Sequence, residues 1–159
     1  MKNILNIDDL QNMAKKRVPK MFYEYADSGS WSGETYNANQ NDFSNIKFRQ
    51  RVGVNIENRT LSKSFLGKQV SIPLALAPTG LCGMQHYNGE IFAAQASEEF
   101  GVPFTLSTMS ICSIEDVAEA TTQPFWFQLY VMRDKVFISN LLSRACLLYT
   151  SDAADESSS

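Results

Sequence analysis

Ser71-Ile-Pro-Leu-Ala-Leu-Ala-Pro-Thr-Gly-Leu-Cys-Gly-Met84 is the stretch on which the fold turns. Leu74 to Ala77 is a short apolar run held between Pro73 and Pro78. The pattern predicts a strand buried on both faces, as in a parallel sheet covered by helices. Pro78-Thr79-Gly80 stops that strand at its carboxyl end and presents a hydroxyl, a backbone N–H and a residue without Cβ together. In open α/β sheets and in barrels, ligands sit at that edge. Gly80 lets a flat ligand approach the backbone closely. A plain strand-to-loop turn is the alternative at this point.

Downstream, the same rhythm repeats. A helix is predicted from Asn88 to Phe100, with Phe92, Ala96 and Phe100 on one face and Gly101 in the position a C-cap prefers. A second strand, Pro103-Phe-Thr-Leu-Ser107, leads to a helix begun by Ser113 with Asp116 three residues on, a capping-box variant. A third, Phe125-Trp-Phe-Gln-Leu-Tyr-Val131, leads to a helix from Asp134 toward Ala145. Three β-then-α units in succession argue an α/β fold with a parallel sheet, either doubly wound or a (β/α)8 barrel.

Upstream, short helices are expected instead. Ile7, Leu10 and Met13/Ala14 recur at helical spacing, giving an amphipathic helix that ends near Arg17. Pro19 suits the first turn of a second helix, Lys20 to Ala26, which Ser28-Gly29-Ser30 ends. Tyr23 and Tyr25 stand two apart on it and so face different sides. Trp31 to Phe43 reads as a third helix, Ile46 to Val52 alternates as an edge strand would, and Asn55 to Thr60 reads as a turn-rich connection.

A chain of 159 residues can hold one domain with a sizeable core. Its net charge of −3 gives no support to nucleic-acid binding or to strong adhesion to an anionic membrane. No targeting segment is visible at the amino end, and no apolar run approaches the ~20 residues a membrane span needs. Cys82, Cys112 and Cys146 are widely spaced and odd in number, so neither a metal site nor a disulfide framework is indicated, and a reducing, cytoplasmic compartment is expected.

Polar residues collect at the carboxyl ends of the three strands: Pro78-Thr79-Gly80, Ser107-Thr108, and Gln128 with Tyr130. A buried amide such as Gln128 left unpaired would cost about 1–3 kcal/mol. A shared site explains the three ends better than separate satisfied core groups. The common catalytic signatures are absent: there is no G-x-S-x-G elbow, phosphate loop or dinucleotide fingerprint. His86, the single histidine, has no partner at metal-ligand spacing and reads as structural or solvated. Glu98-Glu99 and Glu115-Asp116 read as helix-surface and helix-start carboxylates. Thr, Ser, Gln, Tyr and Gly without a charged group suit a neutral, planar, hydrogen-bonding ligand: a flavin ring, a nucleobase or a sugar.

Several motifs then agree in order and spacing. Val18-Pro-Lys-Met-Phe-Tyr-Glu-Tyr25 with Ser28-Gly29, Phe48-Arg-Gln-Arg51, Ala75 to Met84, Thr105-Leu-Ser107 and Trp126 to Val131 resemble the FMN-dependent α-hydroxy acid dehydrogenases, the family of glycolate oxidases and flavin lactate dehydrogenases. The resemblance runs from about Ile7 to about Ala145. It implies the N-terminal part of a (β/α)8 TIM barrel, about three of eight βα units preceded by short helices, with FMN at the carboxyl ends of the strands. By motif position it puts Pro78, Thr79 and Gly80 beside the flavin ring, Ser107 and Gln128 in hydrogen bonds to it, and Tyr25 and Tyr130 on the substrate. Arg49 and Arg51 are left as structural. The implied reaction is oxidation of an L-2-hydroxy acid, L-lactate first, to the 2-oxo acid.

Gly80 stands where many members carry Ala, and Met109 where glycolate oxidases carry Trp. Both choices look more like the bacterial lactate dehydrogenases that pass electrons to a quinone or cytochrome; an oxidase using oxygen is the alternative, and a non-catalytic binding module the alternative of another class. A homo-oligomer and peripheral contact with the inner face of the cell membrane are further implications of the resemblance. A full barrel takes about 250 residues, so the resemblance implies that the family's histidine base, its carboxylate-clamping arginine, a lysine near the flavin and its phosphate loops are missing here, and that this chain is an inactive fragment. Residues 1–145 are expected to be family domain. Residues 146–159 do not resemble the family and read as a non-native, disordered tail.

Overall fold

The computed structural model describes residues 4–148. They fall into two compact units divided between Arg59 and Thr60.

The first unit is helical. α1 (Ile7–Arg17) begins at Asn6, whose side chain accepts the Asp9 N–H, and carries Asp8 and Asp9 in its first turn and Lys15, Lys16 and Arg17 in its last. Both ends thus complement the helix dipole, and the cap contributes about 1 kcal/mol. α2 (Lys20–Asp27) follows directly, with Pro19 at the N-cap, starting at the expected residue and running one residue past Ala26. α3 (Glu34–Asn41) runs into a 3-10 turn, Asp42–Asn45, so the expected third helix starts three residues later than Trp31. Asp27 ties the three helices together: its Oδ1 accepts from Gln11 Nε2 at 2.6 Å and from the Tyr36 hydroxyl at 3.3 Å. Those hydrogen bonds, Gln11 foremost, hold its carboxyl below the usual range. Gly29 fits this cluster because a Cβ there would lie 2.7 Å from that of Tyr36.

The expected edge strand at Ile46 to Val52 is not one. The segment is irregular, and residues 46–60 are exposed throughout. Alternation says that one side of an extended chain wants cover; it does not supply a neighbour to pair with. The regular strands of the second unit begin instead with a hairpin that sequence reading overlooked. β1 (Lys63–Phe65) pairs antiparallel with β2 (Lys68–Val70) through the two-residue turn Leu66-Gly67. Both turn residues have positive φ, 48° and 79°, the geometry whose twist matches the strands. Leucine is a poor residue for the first position, which hid the turn.

The rest of the second unit is α/β. Its order is the Leu74–Ala77 segment, α4 (Cys82–Gln85), α5 (Gly89–Phe100), β3 (Thr105–Ser107), α6 (Ile114–Glu119), β4 (Trp126–Gln128) and α7 (Lys135–Leu148). β3 and β4 are parallel, with Ser107 opposite Gln128. The Leu74–Ala77 segment joins β3 on its other side through one parallel bridge, Leu76 to Phe104, where Leu76 N donates to the Pro103 carbonyl at 2.8 Å. It is therefore less of a strand than expected, and it is not buried on both faces, since Leu74 is 47% exposed. Bridged on one side only, it has no second neighbour among the described residues.

The core lies between β3 and the helices. Leu106 and Val117 are fully buried, surrounded by Ala94, Phe104, Ile114, Phe125, Leu141 and Ala145. Each such large side chain contributes about 1.5–3 kcal/mol of transfer free energy. α6 begins with a complete capping box between Ser113 and Asp116, as expected, and Gly101 closes α5 in the left-handed region. The buried face of α5, however, is not the expected one. Gly89, Glu90, Ala94 and Ser97 face inward, while Phe92 and Phe100 are about half exposed. Bulky strand residues fill the interface, so the helix offers its small ones there. β4 ends at Gln128, three residues short of the expected Val131, and leaves Tyr130 beyond the strand. α7 carries Cys146, Leu147 and Leu148 as helix. That corrects the expectation of a disordered tail from residue 146, because these residues continue an apolar helix; residues 149–159 lie outside the described ones.

Candidate functional site

Parallel register decides the site. Because β3 and β4 run in the same direction and pair Ser107 with Gln128, their carboxyl ends lie side by side. Ser107, 4% exposed, donates from Oγ to Gln128 Oε1 at 3.3 Å and accepts the Met109 N–H at 3.1 Å. Thr108 works with it: its N–H and its hydroxyl both donate to the Gln128 carbonyl, at 3.0 and 2.5 Å, and its Oγ1 accepts the Tyr130 N–H at 3.1 Å. Thr108 belongs to the strand-end cluster seen in the sequence but received no role there. It is the residue that knits the two strand exits together, and a hydroxyl next to a predicted strand end is too common a signal to single out.

Gly80 joins from the third segment. Leu81 N donates to the Met109 carbonyl at 2.9 Å, and a Cβ on Gly80 would come to 3.3 Å from Met109 Cβ and 4.0 Å from Ser107 Oγ. Gly80, Ser107 and Gln128 thus lie close together. Thr79 is exposed, with its hydroxyl 3.5 Å from the Ala77 carbonyl, and shares with Ser107 a cavity of 210 Å³. Pro78 is exposed on the same rim. Tyr130 is 54% exposed. Tyr25 is 62% exposed on α2, in the first unit, and faces away from half-buried Tyr23 as the spacing indicated.

Beneath this rim lies a carboxylate that sequence reading did not single out. Glu90, 2% exposed, accepts two backbone N–H groups on Oε1, from Gly83 and from Ile111, each at 2.9 Å. Desolvation pushes its pKa up, but those two N–H donors and the Cys112 thiol outweigh it, and the carboxyl stays below its ordinary value. Burial, then Glu90, raises the Cys112 thiol to about 11, and burial raises Cys82 as well. His86 is exposed, with Nδ1 2.8 Å from the Tyr87 carbonyl and its ring edge-on to Phe92. Among the described residues no group of His, Cys, Asp and Glu could hold a metal ion, and no helix is long and apolar enough to cross a membrane. Two further carboxylates do structural duty: Glu98 accepts the N–H and hydroxyl of Thr122, and Glu115 pairs with Arg144.

The rim is a neutral, donor-and-acceptor edge with a glycine where a flat ring could rest. Residues 14–149 match the family of FMN-dependent dehydrogenases. The chain belongs to that family. It is 46% identical over 142 residues to an L-lactate dehydrogenase of Haemophilus influenzae, covering 89% of this chain and 37% of that protein. An L-lactate dehydrogenase of Ectopseudomonas mendocina is 45% identical over 137 residues, covering 86% and 36%. Among solved structures, a soluble mutant of the membrane-associated (S)-mandelate dehydrogenase of Pseudomonas putida superposes with a TM-score of 0.86 at 36% identity, covering 93% of this chain and 42% of that one. The chain therefore spans well under half the length of these family members.

Proposed function

We propose that this chain forms the flavin-ring side of an FMN-dependent oxidoreductase that converts L-lactate, or a close L-2-hydroxy acid, to the 2-oxo acid. The observation that carries the proposal is the in-register pair Ser107–Gln128, hydrogen-bonded through side chains beside the Cβ-free Gly80. The edge fits FMN: a planar ring can lie against Gly80, while Ser107 Oγ and the Gln128 amide offer donors and acceptors to its polar rim. Pro78 and Thr79 would flank it. Bound FMN would supply the redox chemistry, taking up the two electrons released as the substrate loses its α-hydrogen and hydroxyl proton. The protein orients and polarises. By motif position, Tyr25 is assigned to the substrate carboxylate and Tyr130 to the substrate oxygen.

Membership of the family supports the first βα units of a (β/α)8 barrel for the second unit. The assignment gives the single histidine, His86, no part in the chemistry, because its motif position is not that of the family's base, and takes the base and the carboxylate-binding arginine as supplied by the rest of the full-length enzyme. Gly80 and Met109 favour transfer of electrons to a quinone or cytochrome over oxygen. A homo-oligomer at or near the inner face of the membrane fits the same assignment.

Joining residues 1–145 to the remaining sequence of the Haemophilus L-lactate dehydrogenase tests this. The joined protein is expected to purify yellow and to bleach its flavin band on addition of L-lactate, whereas the 159-residue chain with added FMN does neither. A folded, colourless joined protein would sink the proposal.

A further inference from the structure

Among the described residues, Glu90 is the one buried carboxylate, and the flavin-side assignment leaves it unused. It stands in the first turn of α5, one residue after Gly89, whose missing Cβ would meet the Cys82 carbonyl at 3.0 Å. One of its oxygens, Oε1, takes N–H groups from two different loops. Gly83 belongs to the connection that carries Thr79 and Gly80. Ile111 belongs to the connection that follows Ser107. The other oxygen, Oε2, is sealed from solvent without a hydrogen bond of good geometry. A charged group is expensive to bury and is retained where its hydrogen bonds hold something in place.

The loop that carries Gly80 needs holding. Leu81 and Asn88, on either side of α4, both sit in the left-handed region at φ 56° and 54°, a conformation that persists only when the surroundings enforce it. Space around the clamp is close: a Cβ at Gly83 would lie 2.7 Å from Ile111 Cβ and 3.0 Å from Glu90 Oε2. The single direct backbone link between the loops is Leu81 N to the Met109 carbonyl. Glu90 adds a second tie two residues further on, at Gly83 in the first turn of α4.

We propose, resting on the flavin-side assignment above, that Glu90 is a positioning residue for the rim: by accepting the Gly83 and Ile111 N–H groups on one oxygen, it sets the spacing between Gly80 and Ser107 at which the flavin ring is gripped. Reach, rather than charge, carries this role. A glutamine carbonyl can accept both N–H groups from the same position. An aspartate keeps the charge but is one methylene too short to meet them.

The full-length joined protein described above serves for the test, with Glu90→Gln and Glu90→Asp. FMN affinity is read by titrating the apoprotein and following flavin fluorescence, and amide exchange at Gly83 and Ile111 by mass spectrometry. The expected result is a Kd for Glu90→Gln within about threefold of the parent, and one for Glu90→Asp weaker by about tenfold or more, on the scale of losing one buried hydrogen bond. Exchange at the two amides should quicken in Glu90→Asp alone. Equal FMN affinity in all three proteins, with only the thermal midpoint moving, would reduce Glu90 to a structural residue and overturn the proposal. So would a Glu90→Gln protein as weak as Glu90→Asp, which would assign the effect to charge. If the unsubstituted protein takes up no FMN, the flavin-side assignment itself falls and this role with it, and unchanged amide protection would separate that outcome from loss of the clamp.

Discussion

At the scale of single residues, burial sorts the three thiols. Cys112 is buried against Glu90 and its thiol is pushed up to about 11, Cys82 is raised by burial, and Cys146 is exposed. The thiolate is the reactive species. Alkylation of the native chain with iodoacetamide at pH 8 is therefore expected to label Cys146 first and Cys112 only on unfolding, which peptide mass mapping will read; early labelling of Cys112 would contradict the packing around Glu90. The residues of the rim were visible in the sequence because each is an odd choice for its place: a hydroxyl or an amide at the end of an apolar strand. Glu90 was not, because a glutamate in the first turn of a helix is ordinary on dipole grounds alone. Only the arrival of two loops around it makes it unusual.

At the scale of elements, helix ends and strand exits were more legible than strand lengths or helix faces. The Ser113–Asp116 capping box and the Gly101 C-cap are local chemistry, complete within one turn. The packed face of α5 is not its aromatic one, because the sheet already supplies Phe104 and Leu106 and leaves room only for small residues such as Ala94 and Ser97. Between α6 and α7, Arg144 makes a two-pronged contact with Glu115, Nε to Oε1 at 2.7 Å and Nη2 to Oε2 at 2.6 Å. Its hydrogen bonds bring the Glu115 carboxyl from 4.5 down to about 2. A carboxyl depressed in the folded state adds stability above its unfolded value, and that stability is lost as pH falls through the folded one. Both side chains are more than a third exposed, so the pair contributes about 0.5–1 kcal/mol. Arg144→Met is expected to lower the urea midpoint at pH 7, with the difference from the parent shrinking between pH 4.5 and pH 2; a difference independent of pH would assign the loss to packing of the arginine stem instead.

At the scale of the whole molecule, much apolar surface is uncovered. Phe48 and Val52 are 98% exposed, and Leu74, Val131 and Val136 stand open in the α/β unit. Exposed apolar groups of this extent favour association. Sedimentation velocity is expected to show the 159-residue chain associating with increasing concentration, and thermal unfolding to be broad; a monodisperse monomer with a sharp cooperative transition would count against it. The sequence by itself determined the alternation of strand and helix, the helix caps and the family, because these depend on periodicity and on chemistry within a few residues. Tertiary structure alone decided that Ser107 meets Gln128 rather than a neighbour one residue away, that Gly80 closes on Met109, and that Glu90 binds two loops at once. Register and long-range contact are set by which strands lie side by side, and local sequence carries no record of that.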